Sequence, residues 1–117
     1  MTFEEFHTFC LAKKEVQEFF PFDFKTIVYK VGGKIFALVN TEYFTSINLK
    51  CNPEKALELR ETFAAVIPGY HMNKKHWNTV YLNSDMSDLL LYELINDSYQ
   101  LVFESLSKKL QYEIALG

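Results

Sequence analysis

The chain has 117 residues, 49% of them hydrophobic and 16% aromatic, with 11 Phe and 7 Tyr. That is the length of one domain with a core of its own, so neither disulfides nor a structural metal are required for stability. A formal charge of −3 excludes a uniformly basic coat for nucleic acid or an anionic membrane, while leaving room for a local basic patch.

The two cysteines, Cys10 and Cys51, have no CxxC spacing, and free thiols fit a reducing compartment. The opening residues Met1 to Glu5 lack the basic and apolar regions of a signal peptide, and no apolar run approaches the ~20 residues of a membrane span. The expectation is one cytoplasmic domain, 1–117, with no membrane partner.

In chain order, residues 2 to about 14 read as a helix. Thr2 and Glu5 form a capping box, Phe3, Phe6 and Cys10 recur at helical spacing, and Lys13 and Lys14 suit the C-terminal end of the dipole. Ile27–Val31, Gly32-Gly33 and Lys34–Val39 then predict a β-hairpin with a two-residue primed turn. A regular register pairs Val31 with Lys34, Tyr29 with Phe36 and Ile27 with Leu38 on one face. Lys30 then lies opposite Ile35, and Val28 opposite Ala37, on the other. Both faces are largely apolar, so the sheet is either covered on both sides or offers one face to a partner.

A third strand is predicted over 43–51, where Thr45, Ile47, Leu49 and Cys51 alternate with polar residues. Asn52-Pro53-Glu54 starts a helix whose stripe is Ala56, Leu59, Phe63, Val66 and Ile67, ended by Pro68-Gly69. Alternation from Trp77 to Leu82 predicts another strand. Two short helices close the chain, the second capped by Asp97 with Gln100 and buried through Tyr99, Val102, Phe103, Leu106 and Leu110. Antiparallel strands mixed with helices make an α+β layout.

Three stretches together resemble the MmcQ/YjbR family of small bacterial proteins. They are Phe20-Pro21-Phe22 leading into Val28 to Ala37, Asn48 to Glu54, and the string Pro68 to Val80 with its Trp, two His and two Asn; Ser98-Tyr99 is also similar. The resemblance implies an antiparallel sheet with helices packed on it, in the frataxin-like CyaY arrangement, and it carries a DNA-binding label that rests on likeness to a double-wing fold. Asp23 stands where the family often has Gly after the Pro-Phe pair. A frataxin-like iron role needs an acidic ridge on the first helix, and Glu4, Glu5, Glu15 and Glu18 do not supply one, so no cofactor is expected.

The richest candidate site is the segment His71, Asn73, Lys74, Lys75, His76, Trp77 and Asn78, continuing to Thr79. Its lysines suit phosphates, its amides suit bases or backbone, and Trp77 offers a ring for a base to stack on. The plainer reading makes Trp77 a core anchor, the histidines loop ties and the lysines solvated. Lys30 and Lys34 flank the hairpin tip as further phosphate candidates, although strand parity puts them on opposite faces.

His71 and His76 are five apart without a nearby Cys, which matches no zinc pattern. There is no GxSxG elbow, no phosphate-binding glycine loop and no convincing carboxylate pair, so no enzyme is expected. Two functions survive. One is a non-catalytic DNA-binding module working through His71–Thr79. The other is a protein-interaction domain using the apolar second face of the sheet, or surface aromatics such as Tyr43 and Phe44.

Overall fold

Thr2 caps the first helix as its spacing predicts. Its hydroxyl accepts the Glu5 amide at 3.1 Å, and the Glu5 carboxylate accepts the Thr2 amide at 2.9 Å. In the computed structural model, which describes residues 1–69 and 72–117, this helix is α1 (Phe3–Leu11) and buries Phe6 and Cys10. It stops short of the predicted residue 14, because Glu15 adopts a left-handed backbone (φ 57) and turns the chain into strand β1 (Val16–Phe19). That strand carries no alternating apolar signature, and only its pairing to the next strand defines it.

The hairpin forms as β2 (Thr26–Val31) and β3 (Lys34–Asn40). Both turn glycines take positive φ, 58° at Gly32 and 82° at Gly33, as a type I′ turn requires. They differ in surroundings. A Cβ on Gly32 would meet Leu106 Cδ1 at 2.5 Å, whereas one on Gly33 would point into open space. Gly33→Ala should cost about 1 kcal/mol from the left-handed backbone alone. Gly32→Ala should cost more, because Leu106 must also move. Urea midpoints of the two variants compare them directly.

The register departs from the regular one. Val31 pairs with Lys34 and Lys30 with Ile35, but Tyr29 pairs with Ala37, Val28 with Leu38 and Ile27 with Val39. Phe36 is the extra residue of a β-bulge, and the strand parity flips there. Phe36, Ala37 and Val39 therefore all enter the core, while Ile35 and Leu38 face the other way. The predicted pairs Tyr29–Phe36, Ile27–Leu38 and Val28–Ala37 are thus each displaced by one.

Strands β4 (Ser46–Lys50), β5 (Val66–Pro68) and β6 (Trp77–Tyr81) complete an antiparallel sheet of order β1-β2-β3-β4-β6-β5. Helix α2 spans Pro53–Thr62, with Asn52 as N-cap and Pro53 at its first position. It ends at an extended Phe63, so Val66 and Ile67 lie in β5 instead of prolonging its stripe. Two β-branched residues before Pro68 suit a short edge strand. The C-terminal segment is one long helix, α3 (Asp88–Glu104), followed by α4 (Lys108–Leu116). The predicted break at Asp97 is absent, and its carboxylate instead pairs with Lys55 at 2.8 Å.

All four helices feed one core cluster with strand residues of a single parity, including Ile27, Tyr29, Val31, Ile47, Leu49 and Val80. The result is an α+β fold of two layers, helices over one face of the sheet. Phe6 packs edge-on against Tyr29 at 5.3 Å between ring centroids. Tyr29 Oη lies 2.8 Å from His7 Nδ1, and His7 Nε2 lies 3.4 Å from the Glu18 carboxylate, tying α1 to β1 and β2. Phe44, expected on the surface, packs against the rings of Phe3 and Phe6, while Tyr43 is exposed. Burial pushes the Cys10 thiol up to about 12, so it stays protonated at neutral pH.

Candidate functional site

The strand residues of the opposite parity form the open face of the sheet. Partners across antiparallel strands point to the same side, so the registers sort these residues into three rows. Near the hairpin tip Gln17, Lys30 and Ile35 align on β1 to β3, and Lys50 aligns with Trp77 on β4 and β6. Two residues further along the strands runs Phe19, Val28, Leu38, Asn48, Thr79, Ile67. Beyond it runs Thr26, Asn40, Ser46, Tyr81. The first row carries the cations, the second is mostly apolar, and the third is polar.

A cavity of about 590 Å³ opens on this face, lined by Thr26, Ile35, Leu38, Asn40, Ser46 and Asn48, with Phe22 and Met72 also in its wall. Phe22 belongs to the turn 20–25 between β1 and β2. Asp23, which replaces the Gly common in the resembling family, shapes that turn by accepting the amides of Lys25 (2.8 Å) and Thr26 (2.9 Å) on one carboxylate oxygen. Such a side-chain-closed turn leaves the aromatics beside it outside, with Phe22 79% and Phe24 91% exposed.

On the floor, Asn48 Nδ2 donates to the Leu38 carbonyl (3.2 Å), and its Oδ1 accepts the Thr79 hydroxyl (2.6 Å). Asn40 Oδ1 accepts the amides of Glu42 and Tyr43, both at 2.8 Å. Lys30 Nζ sits 4.9 Å from the centre of the Phe19 ring, a cation–π contact that leaves its charge uncompensated. None of the strand residues facing this side is acidic. Most carboxylates of this net-acidic chain stand in the four helices instead.

The predicted site residues do not all meet here. His71 lies outside the described residues. Asn73 is spent on the loop itself: Oδ1 accepts the Lys75 amide (2.9 Å), and its carbonyl accepts the amides of His76 (3.1 Å) and Trp77 (2.9 Å). The His76 carbonyl accepts the Cys51 amide at 2.7 Å, joining the loop to the end of β4. Lys74 and Lys75 are exposed, and the Lys74 carbonyl accepts a hydrogen bond from the Arg60 guanidinium.

Trp77 faces the open side but is only 8% exposed, so it offers no ring for a base to stack on. Asn78 corrects the expectation most sharply. It is 2% exposed on the helix side, where Oδ1 accepts Arg60 Nε at 2.6 Å and Nδ2 donates to the Ala56 carbonyl at 3.5 Å. Lys34 also leaves the site, because it reaches Ser105 at the end of α3, at 3.4 Å. Lys30 stays on the open face, and the two lysines stand on opposite sides of the sheet.

Residues that sequence reasoning missed are Phe22, Leu38, Asn40, Ser46 and Met72. The Phe-rich run Phe19-Phe20-Pro21-Phe22-Asp23-Phe24 was a legible signal, since four phenylalanines around a proline turn cannot all be buried. Among the described residues no group of His, Cys, Asp and Glu is arranged to hold a metal ion, and no helix is long and apolar enough to cross a membrane.

The YjbR family model matches residues 11–101. The chain belongs to the YjbR family. It is 44% identical over 98 residues to the uncharacterized protein YbdF of Escherichia coli O157:H7, covering 83% of this chain and 80% of that protein. Against the uncharacterized protein YjbR of Escherichia coli K12 the identity is 38% over 101 residues, 86% of either chain.

A Deinococcus radiodurans protein of known crystal structure superposes with a TM-score of 0.92 at 36% identity, over 99% of this chain and 89% of that one. A Pseudomonas syringae protein follows at a TM-score of 0.73 and 29% identity, over 87% and 99%. The YjbR assignment agrees with the resemblance carried by the Pro68–Val80 string, and the two solved structures share the fold.

Proposed function

We propose that this YjbR-family chain is a non-catalytic module that binds nucleic acid on the open face of its sheet. The observation that carries the reading is charge segregation: the open face presents Lys30 and Lys50 and no strand carboxylate, in a chain whose net charge is −3. An overall acidic protein repels a polyanion at long range, but screening shortens that repulsion to about 8 Å at physiological salt. A local cationic row on the far side from the acidic helices can then act at contact distance. Exposed Phe22 and Phe24 beside it supply stacking surfaces of the kind used on bases. This moves the contact surface from His71–Thr79, where Asn78 and Trp77 are buried, to the sheet face those residues support.

The experiment is a titration with labelled DNA over a range of salt, comparing the parent chain with a Lys30→Gln/Lys50→Gln variant. Both lysines are solvent-facing, so the variant should keep the parental thermal unfolding. Its affinity at low salt should fall, and its log K against log salt slope should flatten by about 0.7 for each lost single-strand phosphate contact. An unchanged affinity and slope in the variant would remove the reading.

A second reading places an apolar segment of a protein partner on the same face, favoured by the half-buried Ile35 and Leu38 in its middle. It is distinguished by binding that holds or strengthens as salt rises.

A further inference from the structure

We infer that the cavity lined by Phe22, Leu38 and Met72 receives a single unstacked nucleobase, so that the chain takes single strands in preference to duplex and with little regard to base identity. The inference rests on the nucleic-acid reading above and deepens it.

Geometry is the first support. Two residues along a strand, roughly 6.6 Å, separate the lysine row from the Val28–Leu38 row at the cavity floor, a span comparable with that from phosphate to base within one nucleotide. A phosphate held by Lys30 and Lys50 therefore places its base over Leu38. Phe22 and Met72 line the cavity as well. The cavity of about 590 Å³ accommodates a purine nucleoside together with water.

The second support is what such a cavity can read. Its apolar floor and aromatic flank engage the face of a base, and a stacked base in a duplex exposes only its edges in the grooves. The face becomes available when the nucleotide is splayed out, as single strands allow.

Third, the acceptor oxygens of the floor amides are committed internally. Asn48 uses both ends of its side chain, and Asn40 uses its oxygen twice. What remains for a base is the Asn40 Nδ2 donor and the hydroxyls of Ser46 and Thr26; every base offers ring or carbonyl acceptors to a donor, and hydroxyls donate or accept equally well, so these groups discriminate weakly between bases. Sequence tolerance follows from this use of the floor.

The test compares three labelled probes of equal length at low salt: an oligothymidine, an abasic deoxyribose-phosphate strand and a mixed-sequence duplex. The abasic strand keeps the phosphates and removes the rings. Oligothymidine should bind about tenfold or more tighter than the other two, the scale of one base–aromatic stacking contact. Phe22→Ala, at an exposed turn position, should bring oligothymidine down towards the abasic strand and leave the abasic affinity unchanged. Oligoadenosine should match oligothymidine within a few-fold. An abasic strand or duplex that binds as tightly as oligothymidine overturns the inference while leaving the nucleic-acid reading in place. If none of the three probes binds, that reading falls and the inference falls with it.

Discussion

Replacing Ser98 by Ala should destabilise the fold by about 2–4 kcal/mol, the sum of two backbone groups losing their partner in a buried setting. Ser98 is fully buried on α3. Its hydroxyl donates to the Phe36 carbonyl at 2.5 Å and accepts the Lys50 amide at 2.9 Å. These are the groups that the β-bulge takes out of the β3–β4 ladder, whose last regular pair is Ala37 with Leu49. One hydroxyl from a helix thus substitutes for the missing rung and locks the parity flip in place. Ser98→Thr tests the geometry separately, since it keeps the hydroxyl and adds a methyl to a packed site. In a domain whose whole stability is of order 5–15 kcal/mol, the Ala variant should lower the urea midpoint by a substantial fraction. A loss below about 0.5 kcal/mol, within the noise of surface substitutions, would mean the bulge holds without this bridge.

Arg60→Met should cost about 2–3 kcal/mol and also weaken whatever binds the open face. The stability cost follows from the buried Asn78 side chain, whose Oδ1 would lose the Arg60 donor at 2.6 Å and stay desolvated. The Trp77 carbonyl is less affected, because it keeps the Gly69 amide at 2.9 Å after losing Arg60 Nη2 at 3.3 Å. The binding cost is indirect. Arg60 reaches from α2 past Asn78 to the Lys74 and Trp77 carbonyls, so it holds the loop that carries Met72 to the flank of the cavity. Methionine keeps much of the apolar stem and removes only the fork of donors. A combined measurement, urea unfolding together with oligothymidine affinity, separates the two effects. Loss of stability with undiminished affinity would show that Arg60 serves the core alone.

Both predictions concern polar bridges, and neither bridge was visible in the chain before folding. Local chemistry was legible. The Thr2–Glu5 capping box, the Asn52-Pro53 helix start and the Gly32-Gly33 turn each depend on a few adjacent residues, and each stands where the sequence places it. The family, too, was legible in the Pro68–Val80 string. The misreadings share one cause. Period and propensity could not distinguish Val66-Ile67 as helix stripe from Val66-Ile67 as edge strand, because both bury the same side chains. Nor could they find β1, whose residues are mostly exposed and which exists only because β2 offers it a ladder.

The site shows the same division. Parity alone put Lys30 and Lys34 on opposite faces, since both flank the turn ahead of the bulge and the turn sets their register. Leu38 was assigned to the wrong face because the bulge at Phe36 intervenes, and Asn78 was taken for a contact residue although one step of strand parity from Trp77 turns it inward to Arg60.

By itself the sequence determined the α+β class, the hairpin, the helix starts and the presence of more aromatics around Pro21 than a core can absorb. These follow from short-range sterics, capping and composition. Only the tertiary structure decided which sheet face is left open, which lysines share it, and that the acids gather on the helices across the sheet. Those properties depend on a single inserted residue in β3 and on the hydroxyl of Ser98, 62 residues away, which satisfies the carbonyl that the insertion leaves unpaired.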